Sequence, residues 1–280
     1  MTLTGTRFVE VAADVHVLRY PVLDVNSVLV IGSEIAAVID TLSTPDQGRE
    51  LLTAVRAVTD RPLVIINTHH HFDHTFGNGV LADSCAGSTI WAHEAAAAEL
   101  REHGTLWQRQ WYEECRTLYP DLADPVLHTG LRPANRTIRT ESTMDIGGRV
   151  LELRHLGRGH TEGDLVVLVP DAGVLMAGDL VEQGSPPSFE DSYPLDWPDT
   201  VTALLHLGAA ASVVVPGHGA PVDLAFVHAQ HDELTRLAWL IRDGHRDGAP
   251  AEAVAERAPY PAAVALPAVT RGYAELDGQD

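Results

Sequence analysis

The sequence contains no lysine, and all 19 of its Lys-or-Arg positions are arginine. Against 39 Asp and Glu residues, they leave a formal net charge of −20 at pH 7 in a chain of 280 residues. Nucleic-acid binding depends on clustered positive charge, so this balance argues against a nucleic-acid partner. It is typical instead of a well-solvated protein surface.

Cysteine is scarce as well, because only Cys85 and Cys115 are present. Two distant thiols are too few for a disulfide framework and leave no thiolate metal site, so we expect a reducing compartment, the cytoplasm. The first ten residues lack the basic region and apolar run of a secretory signal. No apolar run is long enough to cross a bilayer, and no membrane association is expected.

The composition, with 45% hydrophobic and 21% charged residues, is that of an ordinary globular protein. Apolar periodicity predicts strands at 15–22, 26–31, 35–39, 63–67, 150–156, 165–169, 174–177 and 212–215. It predicts helices that begin near Pro45 and at about 93–118, 197–207 and 223–241. Residues 120–139 read as an irregular connection, and the tail from residue 247 as carrying one helix.

Antiparallel meanders in both halves, loosely alternating with helices, predict an α/β domain built around stacked sheets rather than a parallel doubly wound sheet. We assign residues 1–246 to this domain, with a helical insertion at about 93–140. Residues 247–280 are expected to form a C-terminal tail packed on the domain.

The chain has 15 histidines, and four of them fall in the run His69-His70-His71-Phe72-Asp73-His74. Two histidines at positions i and i+2 after a strand can point the same way, because strand side chains alternate with period two. Asp73 and His74 then follow from the next turn, so one short loop offers ligands to two neighbouring ions. Imidazole and carboxylate are ligands that suit zinc.

Three further loops each place one ligand type just after a predicted strand. Gly159-His160 follows the strand at 150–156, Gly178-Asp179 follows 174–177, and Gly217-His218 follows 212–215. The neighbouring glycine allows a sharp turn at each point. Ligands on loops above a rigid sheet are a usual arrangement for a site.

In these residues, Thr68-His69-x-His71-x-Asp73-His74 followed by His160, Asp179 and His218, the chain resembles the metallo-β-lactamase superfamily over roughly residues 8–230. The resemblance implies a four-layer αββα sandwich with the metals at the edge of the two sheets. It implies that His69, His71 and His160 hold one zinc ion, that Asp73, His74 and His218 hold a second, and that Asp179 bridges the two. Asp73 would also orient the attacking water as a catalytic residue.

Other residues are predicted to surround these ligands. Asp40, Thr68, Thr161 and Asp164 are expected to support the metal-binding loops by hydrogen bonds. His70 is expected either to face outward or to support the ligands. For the aromatic residues a wall of the substrate pocket and simple core packing both stay open; these residues are Phe72, Trp107, Trp111, Phe189 and Tyr193.

The expected function is hydrolysis of an acyl bond (lactone, ester, thioester or β-lactam) in a small molecule, by a hydroxide shared between two zinc ions. One lactamase branch has cysteine at the position of Asp179 and lysine at that of Glu182, and this chain matches neither. Two other activities are alternatives: phosphodiester hydrolysis, and an iron-dependent oxidation that resembles the reaction of persulfide dioxygenases. A metal-binding module without activity is a third alternative. Iron or manganese could replace zinc, and a homodimer is neither predicted nor excluded.

Overall fold

Two β-sheets stack face to face, and helices cover the outer face of each sheet in this computed structural model, which describes residues 6–84 and 87–278. Cys85 lies outside the described residues, as do residues 1–5. None of the described helices is long and apolar enough to cross a membrane.

The first sheet has seven strands that follow one another across the sheet in chain order. They are Val9–Ala12 (β1), Val15–Arg19 (β2), Asn26–Ile31 (β3), Ala36–Ile39 (β4), Leu63–Ile66 (β5), Ile90–His93 (β6) and Arg136–Ile138 (β7). Strands β1 to β4 form an antiparallel meander, whereas β4 to β7 run parallel.

The second sheet has five strands. They are Glu141–Asp145 (β8), Val150–Arg154 (β9), Val166–Val169 (β10), Val174–Glu182 (β11) and Val213–His218 (β12). Their order across the sheet is β12-β11-β10-β9-β8. Only the β11–β12 pair runs parallel among the described strand pairs of this sheet.

Ten helices occur in the described part of the chain. They are Pro45–Val58 (α1), Phe72–Thr75 (α2), Asn78–Asp83 (α3), Glu94–Glu102 (α4), Gly104–Leu118 (α5), Pro120–His128 (α6), Trp197–Leu207 (α7), Leu224–Arg246 (α8), Ala251–Ala255 (α9) and Ala262–Leu276 (α10). The long helix α8 begins where the side chain of Asp223 accepts a hydrogen bond from the Phe226 N–H, a typical N-cap.

Three apolar layers hold the sheets and helices together. Side chains such as Val28, Ile66, Leu153 and Met176 pack between the sheets. The outer face of the first sheet packs on α1, α3 and α4, and that of the second sheet on α7, α8 and α10. The predicted αββα sandwich is confirmed.

Several predicted elements match the structure, and others do not. Strand β3 and helix α7 have the predicted bounds, but residues 120–139, expected to be irregular, contain α6 and β7. Pro120 misleads the prediction, because a proline at the first position of a helix starts it rather than breaks it. The tail from residue 247 has two helices, α9 and α10, instead of one.

The packing between the sheets predicts a large cost for truncating one buried side chain of β9. Leu153 is 0% exposed and lies between the sheets. Leu153→Ala should lower the free energy of unfolding by about 2–5 kcal/mol in a urea titration, because it leaves a cavity. Val150→Ala, in the same strand at a position 42% exposed, is the control and should change it by less than about 0.5 kcal/mol. Equal losses in the two variants would contradict this packing.

Candidate metal centre

The loop after β5 carries the histidine run and is folded by bonds to its own backbone. Asn67 Nδ2 donates to the carbonyl of His74 at 3.1 Å, and the Thr41 N–H donates to the same carbonyl at 2.9 Å. Thr75 Oγ1 donates to the carbonyl of His71 at 2.8 Å. These bonds turn the chain back on itself, so that the loop side chains converge at one edge of the sheets.

The first group of converging side chains comprises His69, His71, His160 and Asp179, whose nearest nitrogen and oxygen atoms all lie within 4.8 Å of one another. His71 Nδ1 is 3.0 Å from His160 Nε2. Asp179 Oδ2 lies 3.4 Å from His160 Nε2 and 3.7 Å from His69 Nε2.

The second group comprises Asp73, His74 and His218. His218 Nε2 lies 3.2 Å from Asp73 Oδ2 and 3.3 Å from His74 Nε2. Asp179 reaches this group too, because its Oδ1 is 3.3 Å from His74 Nε2 and its Oδ2 is 3.3 Å from His218 Nε2. One carboxylate therefore faces both groups.

For four of the five histidines, a hydrogen bond to the far ring nitrogen determines which nitrogen faces the centre. Asp40 Oδ2 lies 2.8 Å from His74 Nδ1 and accepts its proton, which leaves Nε2 with its lone pair toward the second group. Thr68 donates both its N–H and its hydroxyl to Asp40, at 2.8 and 2.7 Å. Its hydroxyl oxygen is then free to accept from His69 Nδ1, 3.0 Å away. Such outer partners set the tautomer of a metal-binding histidine.

His218 and His71 are oriented in the same way by different partners. The Leu23 carbonyl accepts from His218 Nδ1 at 2.8 Å. Asp191 Oδ2 accepts from His71 Nε2 at 3.1 Å, so that Nδ1 faces the first group. Asp191 was not predicted as a site residue, because it lies in the long connection between β11 and α7, where no strand or helix periodicity indicates which side chains point inward.

His70 does not face outward as one alternative had it. Its side chain is buried, with the residue 4% exposed, and its Nε2 lies 3.5 Å from Asp191 Oδ2. The ring packs 5.6 Å from that of Trp107. The prediction of an outward-facing His70 is wrong because the neighbouring α4–α5 region covers this side of the loop.

The loop that carries His160 is held by Asp164. Its carboxylate accepts the Thr161 N–H at 3.0 Å and the Thr161 hydroxyl at 2.7 Å. Burial raises the pKa of Asp164 to about 7, although the bonds from Thr161 act in the opposite direction. The structure thus brings Thr161 and Asp164 together behind His160.

The residues at the centre fit metal ions. Among the described residues, buried His69 Nε2 and Asp179 Oδ1 have no hydrogen-bond partner, although both point into the centre. Two ligands at zinc distance in a tetrahedral arrangement are about 3.4 Å apart, and the donor atoms of both groups show such spacings. Imidazole and carboxylate donors suit zinc, with iron and manganese also possible.

A cavity of about 560 Å³ opens onto both groups. Helix α5 supplies one wall through the stacked rings of Trp107 and Trp111, whose centroids are 5.7 Å apart. The Phe72 ring lies 5.4 Å from that of Trp111 and lines the same wall. These three aromatic side chains thus line the cavity, and Trp111 belongs also to a buried cluster.

The other two aromatic residues predicted for the pocket lie elsewhere. Phe189 is 1% exposed and packs against Trp197 and Tyr260 in the core, so its assignment to the pocket is wrong. Tyr193 lines a smaller neighbouring cavity of about 190 Å³. The sequence could not orient them, because the connection that carries both has no regular secondary structure.

The cavity wall is acidic. Glu182, Glu190 and Glu114 line it together with the acids of the centre, and Arg271 from α10 is its one Lys or Arg side chain among the described residues. Burial and the charge of Asp179 raise the pKa of Glu182 to about 8. Partial burial and the charge of Glu190 raise the pKa of Glu114. Apart from the metal ligands, the charged and ionisable side chains of the wall are therefore mainly carboxyl groups.

Comparison with known proteins is consistent with this geometry. Residues 20–218 match the family model of the metallo-beta-lactamase superfamily. The metallo-beta-lactamase type 2 of Bacillus sp. (strain 170) is 29% identical over 85 residues, 29% of this chain and 33% of that protein. The linear primary-alkylsulfatase of Pseudomonas sp. (strain ATCC 19151) is 26% identical over 213 residues, 66% of this chain and 39% of that protein.

The matched stretches span only 33% to 39% of the length of these curated relatives. Among solved structures, a metallo-beta-lactamase from Pontibacter korlensis superposes with a TM-score of 0.67 at 22% identity, covering 82% of this chain and 98% of that one. The DIM-1 metallo-beta-lactamase gives a TM-score of 0.65 at 22% identity, over 82% and 97% of the two chains. At such identities the likeness shows the fold.

The charges at the centre predict that metal binding releases protons. Burial lowers the pKa of His71, but the charge and hydrogen bond of Asp191 outweigh it and raise the pKa to about 9. The carboxylates of Asp179 and Asp73 likewise outweigh burial and hold the pKa values of His74 and His218 well above the ordinary value. A zinc ion competes with these protons for the same lone pairs, so affinity should rise steadily between pH 6 and 8.

Calorimetry of zinc binding in buffers of different ionisation enthalpy would measure this release, which should be about three protons at pH 7. His71→Asn should lower the number by about one. The exposed, remote His206 provides the control variant His206→Asn, which should leave the number unchanged. Equal zinc affinity at pH 6 and pH 8 would contradict the assignment of charged histidines.

Proposed function

Because this chain belongs to the metallo-beta-lactamase superfamily, we propose that it is a metal-dependent hydrolase that holds two ions and cleaves an acyl bond of a small molecule. One observation carries the proposal: the two oxygens of Asp179 face both groups of donor atoms. A single carboxylate in that position can be shared by two ions, which suits a two-metal hydrolytic site.

The assignment of ligands follows from the two groups. We propose that three histidines hold one ion, that Asp73 joins two histidines at the other, and that Asp179 is shared; the five histidines are His69, His71, His160, His74 and His218. Zinc is the metal that this donor set favours, and two ions per chain are expected.

When bound, such a pair of ions lowers the pKa of a shared water and polarises the bond to be cleaved. The protein side chains do the remaining work. Asp73 lines the cavity, and its pKa is lowered to about 2 because the charges of His74 and His218 outweigh burial. It is thus ionised at neutral pH and can accept a hydrogen bond from the attacking water, which orients that water.

The wall of the cavity favours a neutral or positively charged substrate. Glu190 and Asp191 place negative charge in the wall beside the centre, which counts against a phosphodiester substrate. Trp107, Trp111 and Phe72 provide an apolar surface for an acyl chain or ring. One lactamase branch has a lysine at the position of Glu182, and this chain lacks it. A lactone, ester or thioester therefore fits this wall better than a β-lactam of that branch.

The scarcity of cysteine leads us to propose a cytoplasmic location.

Hydrolysis of an alkyl sulfate is a second candidate. The 213-residue similarity to a linear primary-alkylsulfatase supports it. So does the position of Arg271, which lines the cavity together with the aromatic wall. Arginine can pair with a sulfate group, while Trp107 and Trp111 would contact the alkyl chain. The surrounding carboxylates make this candidate the weaker one.

A substrate panel with the zinc-loaded protein tests the proposal. It should contain an acyl-homoserine lactone, a thioester, a cephalosporin, an alkyl sulfate and a phosphodiester. We expect turnover of the lactone or the thioester. Loss of an outer hydrogen-bond partner of a metal ligand costs about 10–100-fold in activity. Asp179→Ala should reduce kcat/KM by more than that, because it removes a shared ligand. The exposed Asp60 provides the matched control Asp60→Ala, which should keep the wild-type rate.

Elemental analysis of the same samples should find two zinc ions in the wild type and fewer in Asp179→Ala. Turnover of the alkyl sulfate alone would favour the second candidate. Full turnover by an Asp179→Ala variant that retains two ions would refute the assignment of Asp179.

A further inference from the structure

We propose that Asp191 is a positioning residue for His71, and that helix α10 fixes Asp191 in place through Arg271. This inference rests on the proposed role of His71 as a metal ligand. It gives a function to the C-terminal helices, which lie beyond the residues 20–218 matched by the family model.

The first step is the contact between Asp191 and His71. Asp191 Oδ2 accepts the His71 Nε2 proton at 3.1 Å, and the side chain of Asp191 is only 18% exposed. With the proton on Nε2, the lone pair is on Nδ1, which lies 3.0 Å from His160 Nε2 in the first group. Asp191 therefore selects both the tautomer and the direction of the ring.

His70 limits the freedom of the same carboxylate. Its Nε2 lies 3.5 Å from Asp191 Oδ2, and among the described residues this buried nitrogen has no hydrogen-bond partner. Trp107 packs on the His70 ring from the other side. Asp191 thus lies against two adjacent imidazoles, and a rotation of its side chain would take the carboxylate away from the ring nitrogens of both His71 and His70.

The backbone next to Asp191 is held by the C-terminal helices. Arg271 of α10 donates from Nε to the carbonyl of Ser192, the residue directly after Asp191. Arg242 of α8 donates from Nη2 to the carbonyl of Leu195 at 3.0 Å. Tyr193 in turn donates its N–H to the carbonyl of Gly159 at 2.8 Å, beside His160. The connection between β11 and α7 is therefore fixed at both the C-terminal helices and the His160 loop.

Helix α10 is itself closely packed, so it can serve as a fixed support. A Cβ added at Gly272 would lie 2.6 Å from the Ile241 side chain of α8, which shows how near the two helices approach. Ala268 and Val269 are fully buried in the same interface. Through Arg271, Ser192 and Asp191, the hydrogen bonds of the described residues link the C-terminal helix to one ligand of the first group and to none of the second.

That asymmetry makes the inference testable by metal binding. Stepwise zinc affinities of the full chain would be measured by competition with a chromophoric chelator, and the ion count by elemental analysis. Asp191→Asn should weaken one of the two ions by about 10–100-fold and leave the other within about threefold. Arg271→Ala should weaken the same ion by a smaller factor.

Two matched controls exist in the chain. Glu190→Gln removes the adjacent carboxylate, which is exposed and bonds to the Ser188 hydroxyl rather than to a histidine. Arg257→Ala removes an exposed arginine of the same C-terminal segment. Both controls should keep wild-type affinities for both ions. Parallel weakening of both ions in Asp191→Asn would indicate a general structural defect and overturn the inference.

A second measurement does not depend on metal. In the metal-free wild type, nitrogen-15 NMR should show the His71 Nε2 proton held in a hydrogen bond. That signal should shift or broaden in Asp191→Asn and in Arg271→Ala but not in the two controls. Because Arg271→Ala keeps Asp191, it tests the link even if Asp191→Asn does not fold.

The outcomes separate the two proposals. A wild-type protein that binds no pair of ions would refute the proposed function, while an unchanged His71 signal in both variants would refute the positioning role. A third bound ion that is lost in Asp191→Asn would make Asp191 a ligand with His70 and His71, and would likewise overturn the positioning role.

Discussion

The three hydrogen bonds accepted by the Asp40 carboxylate hold the metal-binding loop on the first sheet. Asp40 directly follows β4 and has a φ of 62°, a left-handed conformation that a residue with a side chain adopts at a cost of about 1–3 kcal/mol. In that conformation its carboxylate reaches the N–H and hydroxyl of Thr68 and the ring of His74. This strained conformation persists because the backbone of Asp40 is also fixed. The Asp40 N–H donates to the Ile66 carbonyl, and the Ser27 hydroxyl donates to the Asp40 carbonyl.

Asp40 therefore fixes one ligand directly and others through the chain. Thr68, held by Asp40, is in contact with His69 as well, so one carboxylate orients a histidine in each of the two groups. Since strands β4 and β5 are parallel neighbours, their ends lie at the same edge of the sheet. Strands β11 and β12 are also parallel and bring Asp179 and His218 to that edge from the second sheet. The centre is thus formed at the meeting point of two pairs of parallel strands.

The sequence predicted this part of the site because its residues are encoded locally. His69, His71, Asp73 and His74 occupy six positions after one strand, and the other ligands each follow a glycine near the end of a predicted strand, although Asp179 and His218 lie within β11 and β12 in the structure. Asp191 could not be predicted in this way, since its partner His71 is 120 positions away and nothing in the intervening spacing sets their contact. Arg271 was missed for the same reason. Long-range contacts of irregular segments depend on the packing of the whole domain rather than on periodicity.

The same distinction explains the errors in the predicted pocket. Trp107 and Trp111 are one helical turn apart and lie on the same face of α5, so the pattern correctly grouped them. It could not decide between a core face and a cavity wall, and the structure shows that Trp111 serves as both. Phe189 and Tyr193 follow no such pattern, because side-chain direction in an irregular connection is set by neighbours such as Trp197 and Arg158.

The wall that contacts a substrate is formed separately from the metal ligands, and this separation has a physical basis. Helix α5 presents Trp107, Trp111 and Glu114 at spacings of four and three residues, hence on one face toward the cavity. Gln108 on an adjacent face fixes the helix by donating to the carbonyls of Val126 and Thr129. None of these residues bonds to the histidines of the two groups through a described hydrogen bond, although the Trp111 ring lies 5.8 Å from that of His71. Substitutions on this face of α5 therefore alter the cavity wall without removing a hydrogen bond to a ligand. Under the proposed function, the ligand loops supply the reaction chemistry, and α5 contributes part of the surface that a substrate would contact.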